Sequence, residues 1–355
     1  MSAPARYGPD EPLAVVGDRL LSGLADVTSD LAALESSGSW AVLLPFEGRP
    51  VCARFDKVQP ARTWRGRPWR GPDRALWSSS LTAEQFAARV RSIRAEIAAG
   101  SFYQVNLTRR LSAALAPDAS IPALGAALAE GNPAPFSAVL HLPDQGVHVA
   151  SASPELFLAR RGEVVWSSPI KGTAATPDAF LPKDAAENVM IVDLVRNDLG
   201  RVCVTGTVEV PSLLAVEPHP GLVHLVSTVR GTLRPDAGWP ELIAATFPPG
   251  SVTGAPKLAA LQAIARLEPV PRGVYCGAIG WVDADRCEGE LNVAIRTFWV
   301  EDGRLNLGTG GGITWGSDPA GEWGETELKA SNLLRVASPS GWGPARTQGA
   351  AIDAS

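Results

Sequence analysis

Histidine, cysteine and long apolar runs are all scarce in this chain of 355 residues. It contains four histidines and four cysteines, and no two cysteines form a C-x-x-C pair. This argues against a zinc site and indicates reduced thiols in a cytoplasmic protein. No apolar run reaches the roughly 18 residues that a membrane helix needs. The first residues also lack the basic and apolar regions of a secretory signal, so we expect neither export nor membrane insertion.

An excess of positive charge is also missing. The formal net charge of −5 argues against a nucleic acid or an anionic membrane surface as partner. Residues 57–80 are rich in arginine and tryptophan, but in an acidic chain this favours a surface loop over a nucleic-acid site. The 45% hydrophobic and 19% charged residues are typical of a globular protein that buries a substantial core.

Hydrophobic periodicity predicts a mixture of helices and short strands. Residues 82–99 read as a helix, because Thr82 and Gln85 form a capping box before a stripe of apolar residues. Residues 1–38 are only weakly patterned. Other helices are predicted at 121–130, 183–199, 240–246, 257–266 and 322–336. Other strands are predicted at 40–46, 51–55, 138–142, 147–151, 155–159, 164–167, 202–210, 223–232, 275–283, 291–300 and 305–307. The close spacing of the strands between 138 and 167 predicts antiparallel pairing.

One lysine stands out in the run Ser167–Thr173, where Lys171 lies between a short apolar segment and a Gly-Thr turn. Lysine is rarely buried unless it has a partner or a chemical task. A desolvated lysine has a lowered pKa and can act as a nucleophile or a base. The alternative is a surface lysine at the end of a strand.

The last predicted helix carries Glu322, Glu325 and Lys329 at steps of three and four residues, so they share one face. Two carboxylates at this spacing can hold a hard cation such as Mg²⁺. The alternative is an exposed glutamate–lysine pair.

Three further features indicate anion binding. Arg296 lies in an otherwise apolar predicted strand and therefore needs a carboxylate or phosphate partner. The run 310–312 is Gly-Gly-Gly, which allows a ligand to approach the backbone, although a hairpin turn is an alternative. Residues 248–257 form a Gly/Pro-rich loop before a helix, which suits either an anion site or a tight connection.

Nine runs, taken in order, resemble the chorismate-utilising enzymes. They are GSFYQVNLTR (100–109), SPELFL (153–158), SPIKGT (168–173), AENVMIVDLVRNDLGRVC (186–203), HLVSTVRG (224–231), PPGSVTGAPK (248–257), RGVYCGAIG (272–280), NVAIRT (292–297) and GGGITWGSDPAGEWGETELKA (310–330). The resemblance implies an α+β fold, a large single unit with two antiparallel sheets packed between helices. We expect a short N-terminal strand-and-loop region at 1–80, a chorismate-binding catalytic region at 81–337 and a disordered Pro/Gly/Ser-rich tail at 338–355.

Two positions narrow the reaction that the resemblance implies. Aminodeoxychorismate synthases resemble this chain in having lysine at position 171 of the P-I-K-G-T run, whereas anthranilate synthases usually have alanine. The hydroxylating members of the family place a lysine where this chain has Gln104. The implied reaction converts chorismate and ammonia to 4-amino-4-deoxychorismate, on the route to p-aminobenzoate and folate.

The resemblance also implies roles for individual residues. Lys171 would be the nucleophile and Glu155 the general acid. Glu187 and Glu325 would bind Mg²⁺, with Glu322 acting through water. The positions matching substrate-binding residues are Gly172, Thr173, His224, Thr253, Tyr275, Arg296, Gly310, Gly312 and Lys329.

No nucleophilic cysteine in a Gly-x-Cys-x-Gly turn is present, so we expect ammonia to come from a separate glutamine amidotransferase subunit. Two alternatives remain open. One is the first component of anthranilate synthase, and the other is a chorismate-binding subunit without turnover.

Overall fold

The computed structural model describes residues 11–61, 68–174, 176–180, 182–219 and 222–339. The expected disordered tail, 338–355, lies outside the described residues except for 338 and 339. Residues 1–10 and 62–67 of the N-terminal region also lie outside them. No helix in the described ranges is both long and apolar enough to cross a membrane.

Within these ranges the chain forms 18 strands and six α-helices. The strands are Leu13–Val16 (β1), Arg19–Thr28 (β2), Ser39–Leu44 (β3), Val51–Pro60 (β4), Ser78–Ser79 (β5), Gln104–Ala114 (β6), Phe136–Leu142 (β7), Val147–Ser153 (β8), Leu156–Arg161 (β9), Val164–Ser168 (β10), Ile170–Ala174 (β11), Glu209–His219 (β12), Leu222–Thr232 (β13), Gly254–Ala255 (β14), Ala278–Asp283 (β15), Glu288–Val293 (β16), Thr297–Glu301 (β17) and Arg304–Ile313 (β18). The helices are Ala83–Ala98 (α1), Ile121–Gly131 (α2), Pro182–Gly200 (α3), Trp239–Thr246 (α4), Lys257–Leu267 (α5) and Pro319–Ala337 (α6).

The strand pairings among the described residues are all antiparallel, including those of β7 with β8 and of β9 with β10, for which the close spacing predicts it. The order of neighbours is β12, β13, β10, β9, β16, β15, β3, β4, β2, β1, β7, β8, β17, β18 and β6. In addition, β11 pairs with β13, while β5 and β14 pair with β6. The α+β class is therefore confirmed. The finer expectation of two separate sheets is not, because hydrogen bonds join the strands into one continuous network.

Apolar faces of the helices pack against this sheet. The largest core cluster joins β3 and β15 to α3 and α4 through residues such as Val42, Ile279, Val195 and Trp239. A second cluster lies under α2 and α6, and a third under α1 and α5. The capping box predicted for α1 is present, since Thr82 and Gln85 exchange side-chain to backbone hydrogen bonds.

Several sequence-based element assignments are wrong, for identifiable reasons. Residues 13–28, to which the weak pattern assigned no element, form β1 and β2, a hairpin that turns at Gly17 and Asp18. These strands also pair with β7 and β4, which the local pattern does not reveal. The strand predicted at 202–210 begins only at Glu209. Val202 and Cys203 instead close the end of α3 by donating their backbone N–H groups to Leu199 O.

The strand predicted at 291–300 is interrupted. Strand β16 ends at Val293 and β17 begins at Thr297, and Arg296 between them has φ +51°. The Gly310–Gly312 run is not a turn but lies inside β18, opposite β6. Both corrections matter for the site, because they place Arg296 in a bend and the three glycines in a regular strand.

Candidate active site

Lys171 lies where the sheet pairing is irregular. Strand β10 pairs with β13 up to Ser167, and β11 resumes the pairing from Ile170 with a register shift before Thr173. The Lys171 Nζ donates a hydrogen bond of 3.0 Å to Ser251 O. Burial lowers the pKa of Lys171, and the Lys329 ammonium lowers it further, while the carboxylates of Glu187, Glu155 and Glu325 act in the opposite direction. The lysine is therefore drawn inward rather than placed on the surface.

Glu155 lies immediately before β9 and is only 4% exposed. Its backbone is fixed, because Glu155 N donates to Ser153 Oγ and Val293 N donates to Glu155 O. Burial raises the pKa of its carboxyl. The Ser251 side chain, the nearby Lys171, the backbone at Ile170 and the Lys329 ammonium all oppose this rise. A buried carboxyl beside an amine is suited to exchange protons near neutral pH.

Three side chains of α6 converge on Gly311. A Cβ atom at this glycine would lie 3.4 Å from Glu322 Oε2, 3.7 Å from Lys329 Nζ and 3.8 Å from Glu325 Oε1. Lys329 Nζ lies 2.7 Å from Glu325 Oε1 and donates to Gly310 O at 3.0 Å. Ser317 Oγ donates to Glu322 Oε1 at 2.6 Å. The three side chains share one face, as the spacing predicts, and Glu325 with Lys329 forms the exposed pair that is the alternative to a cation site. Glycine at 311 leaves space beside this face.

The carboxylates offer hard oxygen ligands from two helices. Glu322 and Glu325 come from α6, and Glu187 on α3 acts electrostatically on the same lysine, Lys171, as Glu325 does. In the part of the chain that the structure describes, no three carboxylate, imidazole or thiol side chains are grouped closely enough to hold a metal ion unaided. Mg²⁺ commonly binds through one or two carboxylates together with ligand oxygens and water, so this donor set is compatible with it.

Arg296 occupies the bend between β16 and β17, and its carbonyl accepts a hydrogen bond of 3.0 Å from Ala152 N. Burial lowers the pKa of its guanidinium, and the Glu155 carboxylate raises it. The Glu155 carboxylate is therefore near enough to act on the Arg296 guanidinium, so the two residues belong to the same cluster.

Other residues predicted for the site surround this cluster. Gly172 has φ +86°, which favours glycine, and a Cβ there would lie 3.0 Å from Asp184 Cβ. His224 is buried and pairs with Thr173 across β11 and β13, although the Thr173 side chain lies outside the described residues. Thr253 is buried, and its Oγ1 donates to Pro249 O at 3.1 Å.

Gly312 and Tyr275 have different surroundings. A Cβ at Gly312 would overlap Gln104 Nε2, and Gln104 Oε1 is buried without a hydrogen-bond partner among the described residues. The Tyr275 ring packs against Gly308. Burial raises the pKa of Tyr275 well above its ordinary value. The neighbouring Cys276, Arg272 and Glu268 are the groups that act on it, rather than Lys171 or Glu155.

Sequence reasoning missed Ser251, which accepts the hydrogen bond from Lys171 and lines the same small cavity as Glu155. The only available signal is its position in the Gly/Pro-rich loop at 248–257, because nothing in the local pattern tells which loop residue reaches a distant lysine.

Comparison with known proteins identifies the family of this chain. Residues 65–335 match the model of a family described as chorismate binding enzyme. The chain is 40% identical over 315 residues to aminodeoxychorismate synthase component 1 of Escherichia coli, covering 83% of this chain and 68% of that protein. It is 42% identical over 270 residues to anthranilate synthase component 1 of Streptomyces coelicolor, covering 73% and 52% of the two chains.

A solved structure supports the fold. A 2,3-dihydroxybenzoate-specific isochorismate synthase from Bacillus anthracis superimposes with a TM-score of 0.76 at 25% identity, covering 93% of this chain and 96% of that one. From the match of the family model, and from the identity to relatives over most of its length, the chain belongs to the chorismate-binding enzyme family.

Proposed function

We propose that this chain is a synthase that converts chorismate and ammonia to 4-amino-4-deoxychorismate, for the synthesis of p-aminobenzoate and folate. The observation that carries the proposal is the partly buried amine of Lys171, which lies among carboxylates and beside the buried acid Glu155. Similarity to aminodeoxychorismate synthase component 1 over 83% of the chain supports the same substrate.

Lys171 is suited to act as a nucleophile because burial lowers its pKa and so increases the neutral fraction of its amine. In the first step its Nζ forms a bond to ring carbon 2 of chorismate, the ring double bonds shift, and the bond from carbon 4 to its hydroxyl breaks. Ammonia then forms a bond to carbon 4, the double bonds shift back, and the bond from carbon 2 to Nζ breaks. The lysine is thereby regenerated.

Glu155 supplies the proton that the leaving hydroxyl needs, because hydroxide is a poor leaving group and water is a good one. Burial raises the pKa of this carboxyl, which favours the protonated form that can donate. After the second step the carboxylate takes up a proton from the newly added ammonium group. Glu155 is therefore acid and then base in one cycle.

The cationic groups would bind the carboxylates of chorismate. Arg296 lies near Glu155, and Lys329, which donates to Gly310 O, acts electrostatically on both Glu155 and Lys171. We assign the remaining substrate contacts to Gly172, Thr173, His224, Thr253, Tyr275 and Gly312.

We assign a magnesium site to Glu187 and Glu325, with Glu322 acting through water. The convergence of Glu322 and Glu325 on Gly311 supports this assignment. When bound, the ion would neutralise and orient a ring carboxylate.

We also propose that residues 81–337 form the catalytic region and that the protein is cytoplasmic. In this proposal a separate glutamine amidotransferase supplies the ammonia.

The second candidate function is that of anthranilate synthase component 1, favoured by the 42% identity to the Streptomyces coelicolor relative. The two candidates give products of different mass from the same substrates. The purified protein is incubated with chorismate, ammonium and Mg²⁺, with and without an aminodeoxychorismate lyase, and the products are analysed by mass spectrometry. The proposal requires aminodeoxychorismate, converted to p-aminobenzoate by the lyase. Formation of anthranilate, or no turnover at high ammonium, overturns it.

A further inference from the structure

Ser251 touches both groups to which the proposed reaction assigns chemistry. Its backbone carbonyl accepts the 3.0 Å hydrogen bond from Lys171 Nζ. Ser251 also lines the same small cavity as Glu155, and its side chain opposes the rise in the pKa of the Glu155 carboxyl. The residue is 7% exposed, so bulk water does not compete effectively for either contact. One small residue thus connects two side chains that come from different parts of the sheet.

Hydrogen bonds from three side chains restrain the loop that carries Ser251. Arg272 Nη1 donates to the carbonyl of the next residue, Val252, at 2.7 Å. Thr253 Oγ1 donates back to Pro249 O and Gly250 O. Lys257 Nζ donates to Thr246 O at 2.7 Å and forms a 2.6 Å ion pair with the buried Asp198.

These restraints give Ser251 a fixed position. Arg272 is itself almost completely buried in an ion pair with Glu268, and Asp198 lies on α3, so both anchors belong to the packed core. A contact made by a residue in such a loop is pre-organised, because the loop need not be ordered when the substrate binds.

We infer that Ser251 is a positioning residue that holds the acid Glu155 and the nucleophile Lys171 in a fixed mutual arrangement. This inference deepens the function proposed above and rests on it for the roles of the two groups. The hydroxyl donates to the Glu155 carboxylate, while the carbonyl accepts one N–H of Lys171. The lone pair of the neutral amine remains available to react with the substrate.

The two contacts have different consequences. A hydroxyl donor stabilises the ionised carboxylate, so it limits how far burial raises the pKa of Glu155. The carbonyl carries no formal charge, so it orients the Lys171 amine without the strong preference for the ammonium form that another carboxylate would impose. Only the first contact can be removed by substitution of the side chain, which makes it the one to test.

The test compares Ser251→Ala, Ser251→Thr and Ser168→Ala. Thr keeps the hydroxyl. Ser168 is the matched control, because its hydroxyl lies two residues before Ile170 and pairs with Thr228 Oγ1 rather than with Glu155. We expect kcat of Ser251→Ala to fall about 10- to 100-fold, the effect of losing a hydrogen bond to a charged group, with little change in KM. Ser251→Thr should retain most activity, and Ser168→Ala should match the wild type.

A second readout does not depend on turnover. Infrared difference spectra over a pH titration follow the protonated carboxyl of Glu155, assigned by its loss in Glu155→Gln. Removing the hydroxyl in Ser251→Ala should move this titration to higher pH, and Ser251→Thr should restore it. An unchanged titration together with wild-type kcat in a folded Ser251→Ala protein overturns the inference. If the wild type forms no aminodeoxychorismate, the proposed function fails, and the titration still decides the contact.

Discussion

Replacing Arg272 by methionine should destabilise the protein strongly. Arg272 donates to both carboxylate oxygens of Glu268, at 2.8 Å and 2.7 Å, and to the backbone carbonyls of Val252 and Asn106. The two side chains are only 1% and 5% exposed. Methionine fills a similar volume but donates nothing, so it leaves the Glu268 carboxylate and two carbonyls buried without the guanidinium.

The magnitude follows from this burial. Removing one partner of a buried ion pair typically lowers the free energy of unfolding by about 3–5 kcal/mol, because the remaining charge stays uncompensated. The matched control is Arg266→Met, since the Arg266–Glu96 pair is largely exposed, at 57% and 30%. An exposed pair contributes roughly 0–1 kcal/mol. The double variant Arg272→Met with Glu268→Leu should recover much of the loss, because no unpaired charge remains.

Urea unfolding followed by tryptophan fluorescence measures the free energy of unfolding of all four proteins. Arg272→Met should also lower kcat, because Arg272 anchors Val252 next to Ser251. The reasoning is refuted if Arg272→Met loses no more stability than Arg266→Met. It is also refuted if the double variant is no more stable than the single one.

Three further predictions concern the site. Glu325→Gln should remove most activity at limiting Mg²⁺ without unfolding the protein, because it deletes an anionic ligand; rates near those of the wild type across a Mg²⁺ titration would contradict this. Arg296→Lys should mainly raise KM, with a loss of about 2–5 kcal/mol in transition-state binding, because a point charge replaces a planar donor pair; an unchanged kcat/KM would remove Arg296 from the pocket. The profile of kcat/KM against pH should be bell-shaped. Activity falls at low pH as Lys171 gains a proton and at high pH as Glu155 loses one. Burial lowers the pKa of Lys171 and raises the pKa of Glu155, so both pKa values move toward neutral pH. A profile that stays flat from acid to alkaline pH would argue against these two groups.

Local patterns predicted the features that depend on neighbours in the sequence. The capping box of Thr82 and Gln85 starts α1 where the pattern places it, and the spacing of Glu322, Glu325 and Lys329 gives the shared face seen at Gly311. These interactions span only one helical turn. They form whenever the helix forms, so the sequence suffices to predict them.

Features that depend on tertiary contacts were not predictable in the same way. Arg296 adopts φ +51° in a bend, although the apolar residues around it in the sequence predict a continuous strand. Ser251 reaches Lys171 from 80 positions along the chain, through a loop whose shape is set by Arg272 and Lys257. Strand β1 pairs locally with β2, but its other neighbour, β7, lies more than a hundred residues away in the sequence and is not indicated by the local pattern.

The covalent role of Lys171 is the central claim, and intact-mass analysis during turnover tests it most directly. The wild-type protein is mixed with chorismate and Mg²⁺ at limiting ammonium and quenched in acid, alongside Lys171→Ala and the exposed-lysine control Lys57→Ala. The account predicts an adduct of chorismate minus water on the wild type and on Lys57→Ala. Peptide mapping should place it at Lys171, and Lys171→Ala should lack it. Turnover to aminodeoxychorismate without any adduct at Lys171, or an adduct that persists in Lys171→Ala, would contradict the account.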